Sequence, residues 1–109
     1  MKYLRFVLAR LGLGLAAWGL FGFAVAAVEL PPMVPQQVSP SAWFVQGAAG
    51  LGSPGNQNFI SNAGFVVTKT SVVVIDALGS PAAAERLVAV IKKITPLPIS
   101  HVLVSHYHA

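Results

Sequence analysis

A chain of 109 residues is long enough for one domain and no more. It is 55% hydrophobic and 9% charged, which excludes a disordered or fibrous chain, and it has no cysteine, which excludes disulfides, zinc fingers, iron–sulfur ligation and thiol nucleophiles. The net charge of +4 suggests a nucleic-acid binder, but Lys2, Arg5 and Arg10 crowd the start, and from Ala27 onward Lys69, Arg86, Lys92 and Lys93 face Glu29, Asp76 and Glu85. A nearly neutral body has no footprint for a phosphate backbone, so no nucleic-acid partner is expected.

The first 26 residues read as a signal peptide. A basic start precedes an uncharged apolar stretch over residues 11–28, and Ala24-Val25-Ala26 has the small-x-small spacing of a cleavage site. The stretch also reaches the lower limit of a membrane span, so an uncleaved anchor is the competing reading. Either way the basic end stays cytoplasmic and the body is exported, periplasmic or secreted. Membrane contact is expected only through this segment.

Residues 27–41 carry four prolines and read as an extended linker. A first strand is expected over residues 42–46 (AWFVQ). Residues 47–57 (GAAGLGSPGNQ) form a glycine-rich stretch that lacks the Gly-Lys-Ser/Thr ending of a P-loop and opens no helix, so it reads as a mobile hairpin loop. A second strand is expected over residues 59–68, bending at Asn62-Ala63-Gly64. After the Lys69-Thr70-Ser71 turn, the β-branched run over residues 72–75 reads as a strand buried on both faces, ended by Asp76.

Ser80 then Pro81 is a helix start: the hydroxyl caps and proline at the first position loses no bond. Leu87, Val90, Ile91 and Ile94 make one apolar stripe, Lys92 and Lys93 suit the C-terminal end, and Thr95-Pro96-Leu97-Pro98 stops the helix. Residues 101–105 read as another buried strand. Strand, helix and strand make a βαβ unit with a parallel pair and a right-handed crossover.

Chemistry concentrates at one edge of that unit. Ligands of α/β folds bind outside the C-terminal ends of the strands, where Asp76 lies, although a turn aspartate bonded to nearby N–H groups is the plainer explanation of that residue. Ser105-His106-Tyr107-His108 leaves the next strand at the same edge. Alternate residues of an extended segment point the same way, with Cα atoms about 6.8 Å apart, so His106 and His108 can converge on one metal. A bare His-x-His is usually a surface or core feature, but its place opposite Asp76 raises it above that. His101 sits at an odd offset from His106 and reads as structural.

The stretch from Asn58 to Ala109, with NFISNAGFVVTKTSVVVIDAL and ISHVLVSHYHA, resembles the metallo-beta-lactamase superfamily. It is most similar to the periplasmic zinc hydrolase and quinoprotein-relay metallohydrolase members. The family signature is H-x-H-x-D-H after a strand, of which His106-Tyr107-His108-Ala109 is the first part. The resemblance implies an α/β fold, the N-terminal part of an αββα sandwich over residues 42–109. It also implies a metal-dependent hydrolase of small molecules that uses a metal-bound hydroxide, with two zinc ions in the complete protein. His106 and His108 are then metal ligands and Asp76 a supporting residue. A single iron would mark a persulfide dioxygenase-type oxidoreductase, and loss of the Asp-His pair expected after Ala109 a periplasmic assembly or binding factor. The family's remaining ligands come from later positions, so the chain is expected to be an N-terminal fragment, inactive by itself and prone to aggregate, with one sheet face uncovered.

Overall fold

The computed structural model describes Gly22 and residues 29–106. The expected signal peptide, apart from Gly22, lies outside the described residues, as do Tyr107, His108 and Ala109.

Five strands and one helix form the body. They are β1 (Pro35–Ser39), β2 (Ala42–Val45), β3 (Ala63–Val67), β4 (Val72–Ile75), α1 (Pro81–Ile94) and β5 (Ile99–Leu103). The strands make one sheet in sequential order, antiparallel from β1 to β4, with β5 added parallel to β4. A parallel neighbour needs a crossover, and α1 supplies it.

The α1 sequence is read as expected. The Ser80 side chain accepts the Ala83 N–H, Pro81 takes the first helical position, and Lys92 and Lys93 stand in the last turn. Ala83, Leu87 and Ile91 form the buried stripe. They meet Val45, Phe59, Ala63, Phe65, Val72 and Val74 in a single core cluster. Trp43 lies opposite Phe65 in the β2–β3 register and stacks on it, with ring centroids 5.4 Å apart.

Only one face of the sheet is covered by the helix, which corrects two expectations. β4 is not buried on both sides: Val72 and Val74 are enclosed, whereas Ile75 on the opposite face is 39% exposed. The last strand is neither buried nor placed at residues 101–105. It runs Ile99–Leu103 along the sheet edge, and only Ile99 packs against the core. Val102 and Leu103 are 49% and 55% exposed. One uncovered face and an open edge strand are therefore present among the described elements, as expected.

The proline-rich segment is extended but not merely a tether. Over Pro35–Ser39 it pairs with β2, with a register shift between Gln37 and Ser39. Pro35 takes the first strand position, where a missing N–H is tolerated. The second expected strand is shorter than residues 59–68, because Phe59 is instead a fully buried core residue ahead of β3. The glycine-rich stretch, expected as a mobile loop, contains a 3₁₀ turn at Pro54–Asn56 closed by a capping box with Ser53. Asn56 Nδ2 also donates to the Leu51 carbonyl at 2.9 Å.

Candidate functional site

The parallel β4–β5 pair ends at one edge, and the residues that leave it are tied together. The Asp76 N–H donates to the Leu103 carbonyl at 2.8 Å, continuing the ladder by one rung. The Asp76 carboxylate then accepts twice from Ser105, from its N–H at Oδ1 and from its hydroxyl at Oδ2, both at 2.7 Å. The Ser105 hydroxyl is also 2.6 Å from His106 Nδ1, which stands 3.9 Å from Asp76 Oδ2. Asp76, Ser105 and His106 thus form one connected cluster. The Asp76 side chain is 19% exposed and that of His106 52%, so the carboxylate is the anchored member and the imidazole the accessible one.

The backbone around this cluster is unusual. Asp76 and Leu78 have φ of 62° and 68°, and Gln57 and Asn58 have φ of 55° and 53°. Asp and Asn enter this left-handed region readily, while a leucine there is strained. These four are the non-glycine residues with positive φ among the described residues, and three of them, Asn58 on one wall and Asp76 and Leu78 on the other, line one groove. The walls are joined where the Ser80 hydroxyl donates to the Gln57 carbonyl. They also touch at Gly79, where a Cβ would lie 2.6 Å from the Asn58 carbonyl oxygen. Ser80 therefore caps α1 and latches the glycine-rich loop with one hydroxyl.

Between the walls runs an open groove of about 770 Å³, lined by Gly52, Asn58 and Ile60 on one side and by Asp76, Leu78, Ser105 and His106 on the other. That volume lies in the range of small-molecule sites. The glycine-rich loop borders this groove through Gly52.

The sequence-derived candidates fall as follows. Asp76 and His106 are brought together; His108 lies outside the described residues. His101 is apart from them, on β5, with its Nδ1 2.9 Å from the Ser100 hydroxyl. Sequence reasoning passed over Ser105, which joins Asp76 to His106; its place between a β-branched strand and a histidine was visible, but its bonds were not.

A metal needs more donors than this cluster offers alone. Among the described residues no three His, Cys, Asp or Glu side chains gather closely enough to hold an ion. His106 does fit the part of one ligand: its Nδ1 is engaged by a hydroxyl held on a carboxylate, the arrangement that orients metal-binding imidazoles.

Residues 57–109 match the family model of the metallo-beta-lactamase superfamily. No curated protein matches the chain. The mixed α/β body, with its five-stranded sheet and single helix, is consistent with part of that fold. The matched stretch contains β3, β4, α1, β5 and the whole Asp76–Ser105–His106 cluster.

Proposed function

We propose that this chain carries the first metal-binding segment of an exported, zinc-dependent hydrolase acting on a small-molecule substrate in the periplasm. His106 and His108 are the metal ligands and Asp76 supports them. One observation carries this reading: within the stretch similar to the superfamily, a half-exposed imidazole is braced through Ser105 on Asp76 beside an open groove. A bound zinc ion supplies a Lewis acid and lowers the pKa of water at such a site. The residues of this chain do the rest: Asp76 and Ser105 orient His106, and the walls at Asn58 and Leu78 shape the space for substrate. Export is supported by the basic start, the apolar stretch and Ala24-Val25-Ala26.

The test is metal retention. Loaded with zinc and briefly dialysed, the chain should keep more metal than the His106→Ala/His108→Ala variant, two imidazoles holding an ion less tightly than a complete ligand set. Retention that is unchanged in the double variant overturns the reading, and a chain that keeps iron in preference to zinc points to oxygen chemistry instead.

A further inference from the structure

We infer that Arg86 is a positioning residue that locks the proline-rich segment ahead of β1 onto the wall of the groove, so that seating of residues 31–34 holds Gln57 and Asn58 in place. That this wall serves a substrate rests on the proposed function; the lock itself does not.

The wall is a strained piece of backbone. Gln57 and Asn58 are successive residues with φ of 55° and 53°. Asparagine enters the left-handed region readily, glutamine does not, and such a pair persists only where its surroundings fix it. Inside the loop, Asn56 Oδ1 accepts the Asn58 N–H at 3.0 Å. From α1, the Ser80 hydroxyl holds the Gln57 backbone carbonyl. The Gln57 side chain is held separately, because Arg86 Nη1 donates to its Oε1 at 3.4 Å. That bond is long, and a small swing of the guanidinium breaks it.

The same guanidinium reaches the other way. Its Nη2 donates to the carbonyl of Pro31, 55 residues earlier. Its central carbon lies over the ring of the fully buried Phe59, 5.5 Å from the centroid. A guanidinium is a rigid planar fork, so a bond on one arm restricts the other. Pro31 is followed by Pro32, and a Pro-Pro segment is extended and makes no hydrogen bonds within itself, so its carbonyls accept from elsewhere. Met33 packs against the core, and β1 starts at Pro35. The segment is thus seated by its own side chain at Met33 and by Arg86 at Pro31. Once Pro31 leaves, the guanidinium keeps only its long contact with Gln57 and gains other rotamers. Gln57 then loosens beside Asn58, which lines the groove.

The experiment is NMR on the full ¹⁵N-labelled chain carrying ¹³C-methyl methionine. Met1 and Met33 are its two methionines, so the Met33 methyl reports whether the segment is seated. The amides of Gln57, Asn58 and Phe59, each bonded within the loop, report the wall by hydrogen exchange. Arg86→Ala should move the Met33 methyl toward its unfolded position and speed exchange at the three amides by about 2- to 10-fold, the equivalent of one ordinary hydrogen bond, with the α1 amides unchanged. Arg86→Lys, whose single ammonium does not span both acceptors, should give the same pattern, and it decides the matter if Arg86→Ala does not fold. Pro31→Gly/Pro32→Gly leaves Arg86 intact but lets the segment come loose, and should speed the same three amides. Gln57→Ala should speed Asn58 and Phe59 without moving the Met33 methyl, and Arg86→Ala should add nothing to their rates on that background. Unchanged loop exchange in Pro31→Gly/Pro32→Gly overturns the inference. So does an arginine variant that speeds α1 as much as the loop, which is what a merely structural role would do. Failure of the unmodified chain to bind zinc counts against the proposed function and leaves the lock standing.

Discussion

Asp76 and Ser105, 29 residues apart in sequence, are joined by two hydrogen bonds of 2.7 Å that staple the end of β4 to the end of β5. The staple acts on an edge strand with little else to hold it, since β5 contributes only Ile99 to the core. Bonds to a charged acceptor are worth about 1.5–3 kcal/mol each when a partner is removed. Asp76→Asn keeps one acceptor oxygen and a residue that tolerates positive φ, so it should cost about 1 kcal/mol in urea denaturation. Asp76→Ala loses both bonds and adds backbone strain, and should cost about 3 kcal/mol. Equal losses for the two variants would mean that the carboxylate is not the staple.

The double role of Ser80 can be separated by substitution. Ser80→Ala removes the α1 cap and the donor to the Gln57 carbonyl, and should cost about 2 kcal/mol. Ser80→Asp caps the helix but cannot donate, so it should recover only part of this. Hydrogen exchange should then be faster at the loop amides bonded within 53–58 than at those of α1. Full recovery by aspartate would show that the latch contributes nothing.

Gly79 and Gly47 mark close approaches of backbone to backbone. A Cβ at Gly79 would lie 2.6 Å from the Asn58 carbonyl oxygen, and one at Gly47 would lie 2.4 Å from that of Ser61. Alanine at either position should cost about 1–3 kcal/mol. Gly52 is the control: the nearest atom to its Cβ is the side-chain oxygen of Asn58, which can rotate away, so Gly52→Ala should cost under about 0.5 kcal/mol. Similar losses at all three would contradict the packing of the loop against β3 and the site.

The two faces of the sheet should respond differently. Ile91 is 1% exposed in the core, and Ile91→Ala should cost about 2–5 kcal/mol. Leu103 is 55% exposed, and Leu103→Ala should cost under about 1 kcal/mol. A large loss at Leu103 would show that something covers the second face in solution.

Helix α1 was legible because its signals are local: Ser80-Pro81 at one end, an apolar stripe, and prolines beyond the other. β4 was legible from its β-branched run, but a run apolar at every position does not say which face is covered, and Ile75 and Leu103 proved to lie on the open one. β1 was missed because PQQVS is polar and proline-flanked; its pairing is decided by β2, not by its own pattern. At the site, Asp76 and His106 stood out as chemically capable residues just after strands. Ser105 and the left-handed Leu78 did not, because a relay and a strained turn depend on where β4 and β5 end relative to each other.

The most direct test of the metal reading is X-ray absorption fine structure at the zinc edge of the loaded chain. The account expects imidazole nitrogen at about 2.0–2.1 Å from the metal, with one imidazole fewer in His106→Ala and no change in His101→Ala. A zinc shell that is the same with and without the His106 imidazole would contradict it.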